Sequence, residues 1–241
     1  MGDRVADTIQ QAVRDPQILD ALVMMFRPSA AIVPGLGLEL ACVLRLRASA
    51  LAADGWYDDA LIDVEEALRI SRRTTIIRRT NADVQLAAAL SVRANLLRCS
   101  SREQEAVEDA RQSLDLCRAR FPHAPHRFGP LLLGALDELA RALDKSGEPA
   151  QALPPAEELI HTLRRLAPRR PRYEPQLAAA LHQLGVYLSH TGELTGALRA
   201  ANESRQLYRR LDAKQPDSFA LQVDLATHNR DILLDLVNQQ G

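Results

Sequence analysis

The stretch from Leu177 to Leu211 reads LAAALHQLGVYLSHTGELTGALRAANESRQLYRRL. Leucines and alanines recur at helical spacing in its first part, Gly192 interrupts the run, and a second helical pattern follows. The small residues Gly185 and Ala197 lie on either side of the interruption. We expect two antiparallel helices joined by a tight turn, with small residues where the helices cross, and we call them helix A and helix B.

The same pattern occurs three more times earlier in the chain, and this repetition decides the fold. The turn positions lie 46, 46 and 45 residues apart, at Gly55, Ser101, Gly147 and Gly192. Each repeat has one small residue on helix A and one on helix B: Ala48 and Ala60, Ala94 and Ala106, Ala140 and Ala152, and Gly185 and Ala197. Leucines stand before and after the helix A small residue: Leu44 and Leu51, Leu90 and Leu97, Leu136 and Leu143, and Leu181 and Leu188. Four hairpins with one packing register are therefore predicted.

The regular spacing has a packing explanation. A small residue at a helix crossing lets two backbones approach, and the flanking leucines fill the layer between neighbouring hairpins. One hairpin cannot bury its apolar face alone, so hairpins stack on one another to form the core. The sequence therefore predicts an all-α solenoid of stacked antiparallel hairpins.

Leu184 and Gly185 on helix A, Gly192 at the turn, and Ala197 and Ala201 on helix B resemble the tetratricopeptide repeat. The resemblance implies a right-handed superhelix of helix hairpins. The period differs from that of the family, which is about 34 residues. The additional residues follow the helix B alanines, so a lengthened helix B is expected. HEAT-type repeats, with a period of about 40–47 residues, are the alternative subclass.

The repeats divide the chain into three parts. Residues 1–37 are expected to hold N-terminal capping helices and a loop. Residues 38–216 are expected to form the four hairpins, and residues 217–241 a C-terminal capping helix. Terminal elements of a solenoid differ from its internal repeats because they cover its open ends.

A dense apolar helix face precedes the first hairpin. Its members are Leu19, Leu22, Val23 and Phe26. A cap over the first hairpin explains this face. Docking of a partner, or of a second copy to give a homodimer through the terminal helices, is the other interpretation. Residues 27–37 contain two prolines and two glycines and are expected to form a loop.

Composition and charge exclude several classes of protein. The formal net charge of −1 argues against a globally basic nucleic-acid binder, and no apolar run is long enough to span a membrane. Three cysteines without paired spacing, and a start that lacks a signal-peptide core, fit a reducing cytoplasm. The basic residues are nearly all arginine, which is typical of a high-GC bacterial genome. The sequence therefore predicts a cytoplasmic bacterial protein.

No motif for catalysis or cofactor binding is present, so the sequence predicts neither an enzyme nor a cofactor. His182 and His190 share a helix face but stand about 12 Å apart along it, so they cannot share one metal ion. His123 and His126 lie in a proline-containing link with one nearby thiol, whereas a structural zinc site needs four ligands. No metal site is expected.

The resemblance to tetratricopeptide repeats also implies a binding surface. In this family helix A lines a concave groove, and ligands contact a fixed set of helix A positions. Carried over to this sequence, the groove candidates are Arg45, Asn95, Arg98, Asp137, Arg141, Lys145, His182 and His190. Their charge favours an acidic peptide or a chain end, because arginine grips a carboxylate through two parallel hydrogen bonds. The leading interpretation is a non-enzymatic scaffold that binds a peptide or protein there, as a sensor or adaptor in bacterial signalling or regulation.

An arginine-rich edge gives an alternative function. Its members around the link between the third and fourth hairpins are Arg164, Arg165, Arg169, Arg170 and Arg172. Such an edge would suit a nucleic-acid- or nucleotide-responsive regulator, because it attracts phosphate. Cations near the C-terminal end of a helix also complement the helix dipole, which explains part of the cluster without a ligand. Aromatic residues that would stack on bases are not interleaved, apart from Tyr173.

Overall fold

The computed structural model describes residues 16–30, 36–74 and 79–240. These residues form ten α-helices and one 3₁₀ turn, and no strand occurs among them. The helices are α1 (Pro16–Ala30), α2 (Leu36–Ala53), α3 (Tyr57–Thr74), α4 (Arg79–Cys99), α5 (Glu103–Arg120), α6 (Pro125–Lys145), α7 (Pro149–Leu166), α8 (Glu174–His190), α9 (Leu194–Lys214) and α10 (Ala220–Gln240), with the 3₁₀ turn at Pro171–Tyr173. The fold is an all-α helical-repeat solenoid, as the sequence predicts.

Helices α2 to α9 form the four predicted A and B pairs in chain order. The long period is divided differently from the prediction, because α4 and α6 are 21 residues long while their B partners α5 and α7 have 18. Only in the fourth hairpin is helix B the longer one, with 21 residues against 17. The residues of the long period are therefore not confined to helix B, which the sequence predicted to be lengthened, but are shared with helix A.

All four predicted turn residues adopt a left-handed backbone. The φ angles of Gly55, Gly147 and Gly192 are +85°, +84° and +83°, and that of Ser101 is +57°. At the third turn the Glu148 N–H donates to the Leu143 carbonyl at 2.9 Å and the Gly147 N–H to the Asp144 carbonyl at 3.1 Å. The first of these bonds joins an N–H to the carbonyl five residues earlier, and the same bond recurs at the other turns, from Trp56 to Leu51, from Arg102 to Leu97 and from Glu193 to Leu188. The leucine that follows the small residue thus closes each helix A in a Schellman-type cap.

The predicted small residues on helices A and B are all buried. Gly185 shows why the fourth hairpin needs one. A Cβ atom added there would lie 3.3 Å from the carbonyl oxygen of Ala197 and 3.6 Å from the amide nitrogen of Ala201. The backbones of α8 and α9 therefore approach as closely as a small residue allows.

The chain forms two compact units, residues 1–138 and residues 139–241. In the first unit α1 packs on α2, the first hairpin closes between α2 and α3, and α4 packs on both α2 and α3. Leucine and valine side chains from these helices, such as Val43, Leu44 and Leu68, form its buried core.

Helix α1 covers the first hairpin with the apolar face predicted for it. Leu19, Val23 and Phe26 are buried in the core of that hairpin. The helix continues through Pro28 to Ala30, so a loop beginning at residue 27 is wrong. Proline removes the hydrogen bond to the carbonyl four residues earlier, but that residue, Met24, is 77% exposed and its carbonyl can bond water. The part of the expected N-terminal capping helices that falls on residues 1–15 lies outside the described residues.

In the second unit α8 and α9 pair as the fourth hairpin, and α10 packs on α9. The side of α10 that faces the repeat carries Ala226 and Leu233, both buried. Leu233 joins Ala197 and Ala201 in one apolar cluster. The small residues of α9 therefore contact α10 as well as α8.

Candidate functional site

Paired charges join helix A to helix B in the first two hairpins. Arg47 on α2 donates two hydrogen bonds of 2.6 Å to the Asp63 carboxylate on α3. Arg93 on α4 donates two bonds of 2.6 Å and 2.7 Å to Asp109 on α5. Both carboxylates are buried, and their hydrogen bonds raise the pKa of each guanidinium. Each of these two arginines therefore links helix A to helix B, and its charge is neutralised within the protein. We call such arginines committed.

Two groove candidates in the first unit converge on one carboxylate. The Arg98 Nε donates to Glu138 at 3.0 Å, and the Asn95 amide donates to the same carboxylate at 3.4 Å. Asn95 and Arg98 lie on α4, whereas Glu138 lies on α6, the next helix A, and is buried. This contact links successive A helices, so Asn95 and Arg98 are largely occupied by the protein itself. Asp137, the neighbour of Glu138, is half-buried.

Arg45 differs from Arg47 although only one residue separates them on α2. Its guanidinium donates a hydrogen bond of 3.7 Å to the Cys42 sulfur. Its Nε is buried without a hydrogen-bond partner, and it forms no ion pair with any residue that the structure describes. Arg45 is thus a half-buried cation that no carboxylate of the described residues neutralises.

In the second unit the candidates lie on α6 and α8, again two successive A helices. The His190 Nδ1 and the Asp144 carboxylate are 2.7 Å apart, which joins the ends of the two helices. Lys145, next to Asp144, is exposed and makes no ion pair within the described ranges. At the end of α6 the Asp144 carboxylate is therefore bound to His190, whereas the Lys145 ammonium has no ion-pair partner within the described ranges.

Two further candidates in the second unit are partly buried. His182 is half-buried on α8, and burial lowers its pKa, so the imidazole is neutral at pH 7. Arg141 on α6 is also half-buried, and its charge acts on Tyr208 of α9, opposing the rise in the pKa of that phenol caused by burial. His182 therefore adds no positive charge to this patch at pH 7.

The arginine-rich edge is exposed along α7 and the link to α8. Arg164 is bound to Glu203 at 2.6 Å, and Arg172 lies 5.0 Å above the Tyr173 ring. Three others, Arg165, Arg169 and Arg170, are exposed and form no ion pair with the residues the structure describes. Neutralised and unneutralised arginines are therefore mixed along this edge.

A surface cavity of about 330 Å³ opens in the first unit, and it was not predicted from the sequence. Its walls include Asp20, Arg47, Asp63 and Ile62. Arg47 bonds to Asp20 as well as to Asp63, so its charge is already neutralised within the wall. The cavity thus belongs to the ionic contact between α1 and the first hairpin.

Neither metal-ligand clusters nor membrane spans are found in the described part of the chain. Among residues 16–30, 36–74 and 79–240, no three His, Cys, Asp or Glu side chains group as metal ligands would. No helix within those ranges combines the length and the apolar character needed to cross a bilayer. The Cys117 thiol is buried, and burial raises its pKa to about 11, which leaves it protonated and unreactive.

These features define a helical-repeat protein whose hairpins share one register. Residues 177–211 match the tetratricopeptide repeat. The chain is similar to the crystal structure of BtubC (BKLC) from P. vanneervenii, with a TM-score of 0.73 and 17% identity, over 93% of this chain and 84% of that chain. It is also similar to a putative kinesin light chain from Podosopora anserina with nearly identical TPR-like repeats, with a TM-score of 0.59 and 19% identity, over 89% of this chain and 97% of that one. A search of curated proteins found no match.

The repeat match and the two structural neighbours support the tetratricopeptide-repeat assignment predicted from the sequence. At identities of 17% and 19%, the similarity to these solved structures supports the fold alone. A tetratricopeptide-like repeat fold commonly mediates protein–protein interaction, and scaffolds of this kind are generally non-enzymatic.

Proposed function

We propose that this protein is a non-enzymatic adaptor of the bacterial cytoplasm that binds an acidic peptide segment of a partner protein along its A helices. Each unit carries its own patch of candidate side chains. The first-unit patch consists of Arg45, Asn95, Arg98 and Asp137, and the second-unit patch consists of Arg141, Lys145, His182 and His190.

The proposal rests on a difference among the cations of the A helices. The committed ones are neutralised by a carboxylate of the protein, whereas the available ones have no carboxylate partner among the described residues. Arg47, Arg93 and Arg98 are each held by a carboxylate of the protein. Arg45 and Lys145 have no carboxylate partner among the described residues. The half-buried Arg45 is suited to a ligand carboxylate, because a charge-assisted bond is stronger beside buried side chains than in open water. Lys145 is exposed, and its attraction for a carboxylate is screened by water.

The two patches also restrict the ligand. Glu138 adds negative charge to the first unit and Asp144 to the second, although each is bound to a basic side chain. A uniformly acidic ligand would meet these carboxylates unfavourably. The patches therefore favour a peptide in which acidic residues are separated by neutral ones.

The test begins with an acidic peptide selected on the protein from a displayed peptide library. Its affinity is measured for the wild type, for Arg45→Gln, for Lys145→Gln and for the matched control Arg210→Gln, an exposed arginine on helix B of the fourth hairpin. We expect each A-helix variant to weaken binding about three- to tenfold, roughly 0.7–1.4 kcal/mol, and the control to bind as the wild type does.

The same peptide decides between the A helices and the arginine-rich edge. Affinity is also measured for Arg45→Glu with Lys145→Glu and for Arg169→Glu with Arg170→Glu. If only the second pair weakens binding, the proposed surface is wrong and the edge replaces it. Melting curves of all variants show whether each protein remains folded.

The edge supports a second candidate function, a regulator that responds to nucleic acid or a nucleotide. Its specific support is the exposure of Arg165, Arg169 and Arg170 without ion pairs in the described part of the chain. Fluorescence anisotropy with single-stranded RNA and duplex DNA at several salt concentrations tests this. The logarithm of the affinity should fall by about 0.7–0.9 per phosphate contact for each unit of log salt, and Arg169→Gln with Arg170→Gln should flatten the slope. Absence of salt-dependent binding excludes this candidate.

A further inference from the structure

Helix α10 carries an exposed apolar stripe beside the face that packs on the repeat. Leu221, Leu225, Ile232 and Leu236 are 66%, 53%, 46% and 39% exposed. They are spaced by four, seven and four residues, which places them on one face of an α-helix. The stripe extends over about 22 Å of helix at 1.5 Å per residue. Such a row of exposed leucines on one face marks an interaction surface.

Two side chains of α10, Ala226 and Leu233, are buried, and Leu233 packs with Ala197 and Ala201 of α9. The four stripe residues do not belong to that buried cluster. Replacing a stripe residue therefore leaves the contact of Leu233 with α9 in place.

An acidic row borders the stripe along its outer side. Asp224, Asp231 and Asp235 are exposed and fall on one flank at 3.6 residues per turn, opposite the flank that carries Leu233. Asp231 contacts Arg230, whereas Asp224 and Asp235 have no ion-pair partner in the described part of the chain. The surface therefore combines leucine contacts with negative charge on one side.

This charge pattern favours one kind of occupant. The symmetric spacing of the stripe would let two copies of α10 pair in antiparallel fashion about a two-fold axis. That pairing would place both acidic rows on the same side of the interface, where aspartates of like charge face one another without a counter-charge. A helix that carries basic residues beside its own leucine stripe avoids this repulsion and gains attraction from the same aspartates.

We propose that the exposed stripe of α10 and the aspartate row beside it bind an amphipathic helix of a partner protein, with the stripe covered by leucine-like side chains and the aspartate row paired with lysines or arginines. The contact is a helix-on-helix interface of the kind that amphipathic peptides make with an apolar surface. It uses none of the A-helix residues of the proposed peptide-binding patches.

Three synthetic 18-residue peptides test the proposal by fluorescence anisotropy with the full chain. The first has a leucine stripe bordered by lysines, the second has the same stripe bordered by glutamates, and the third has the lysine peptide's composition with its leucines scattered. We expect the first to bind at least about tenfold more tightly than either of the others, because it alone satisfies both features.

Variants of the protein locate the binding. Leu225→Glu with Ile232→Glu should weaken the lysine peptide at least about tenfold. Asp224→Asn with Asp235→Asn should weaken it about three- to fivefold and reduce its salt dependence. Asp58→Asn with Asp59→Asn, an exposed acidic pair in the first unit, is the matched control and should bind as the wild type does. Unchanged melting temperatures show that the substitutions act on the surface alone.

Three results overturn the proposal. Equal binding of the lysine and glutamate peptides removes the role of the aspartate row. Unchanged binding to Leu225→Glu with Ile232→Glu removes the stripe from the interface. A solution mass of two chains for the wild type that falls to one chain in that variant assigns the stripe to a second copy instead.

Discussion

In all four hairpins helices A and B cross at a pair of small residues, and we call the positions around this pair the crossing layer. The first two hairpins and the last two fill one part of that layer with different residues. The residue before the small residue of helix A is Arg47 or Arg93 in the first two, and it bonds to Asp63 or Asp109 on helix B. At the same two positions the third hairpin has Leu139 and Pro155, and the fourth has Leu184 and Ala200. An ion pair and an apolar pair therefore occupy equivalent places in one repeat.

The difference shows which part of the repeat is constrained. The turn residue, the small residues and the leucines are kept in all four hairpins, and they determine how closely the helices approach. The positions beside the small residues accept either an ion pair or an apolar pair. A buried ion pair gives little net stability over an apolar pair of similar size, because desolvation offsets the attraction. It does make each partner dependent on the other.

The largest expected effect comes from removing one partner of a buried pair. Asp109→Ala leaves the Arg93 guanidinium in the crossing layer without its carboxylate, since both hydrogen bonds of Arg93 go to Asp109. Because the arginine retains some access to water, we expect a loss of about 2–4 kcal/mol of unfolding free energy. Chemical denaturation measures it, and Asp115→Ala, an exposed aspartate on the same helix, is the control. A loss no greater than that of the control would show that the pair is not a structural contact.

The second effect tests whether the crossing layer is equally tight in both kinds of hairpin. Gly185→Leu places a side chain where even a Cβ would lie 3.3 Å from the Ala197 carbonyl. Ala94→Leu and Ala140→Leu make the comparable change in the second and third hairpins. Overpacking should cost each about 1–3 kcal/mol, with Gly185→Leu the most destabilised. Thermal melts that rank Gly185→Leu as the mildest would contradict the close approach of α8 and α9.

The fold was predictable to the extent that it follows from repeated residues. Leucine, alanine and glycine recur at fixed intervals, so the turns, the hairpin register and the all-α class could be derived from spacing. The end of α1 was not predictable in this way, because Pro28 stops a helix only when the lost hydrogen bond cannot be replaced by water. The split of the long period between helices A and B was also missed, since the region between hairpins carries no repeated signal that marks where a helix begins.

The third effect concerns the turns, where the second hairpin differs from the others. Ser101 has a φ of +57°, in a region that costs a residue with a side chain more than it costs glycine. Ser101→Gly should therefore stabilise the protein by about 0.5–1 kcal/mol, and Gly147→Ser should destabilise it by a similar amount. Differential scanning calorimetry of the two variants measures both shifts. If both substitutions lower the melting temperature, backbone strain at Ser101 is not the dominant effect.

The smallest effect is a dependence on pH that belongs to the second unit. Burial holds the pKa of His182 below its unfolded value near 6.5, so the neutral imidazole contributes stability above that pH. The contribution is lost as the pH falls from about 6.5 towards the lowered folded pKa, because the unfolded chain binds the proton more readily. The corresponding positions of the first two hairpins carry Arg45 and Ser91, which do not titrate there. His182→Gln should flatten the decline in melting temperature between pH 7 and pH 5, and an unchanged decline would assign it to other groups.

The candidate site was predictable only in part. The resemblance to tetratricopeptide repeats named helix A positions, but whether a side chain at such a position is available depends on its neighbour in the next hairpin. Glu138 lies on the helix A that follows Asn95 and Arg98, and sequence spacing alone did not reveal that contact. The recurrence of arginine and aspartate at Arg47 and Asp63, and again at Arg93 and Asp109, was a signal in the sequence that could have identified the committed arginines.

The most direct test of the interchangeable crossing layer is to give the second hairpin the residues of the fourth. Arg93→Leu with Asp109→Ala replaces the ion pair by the leucine and alanine found at Leu184 and Ala200. Equilibrium denaturation of this double variant should give an unfolding free energy within about 1 kcal/mol of the wild type, recovering most of the loss seen for Asp109→Ala alone. A double variant as unstable as Asp109→Ala would contradict the account, because the two kinds of hairpin would then not share one crossing layer.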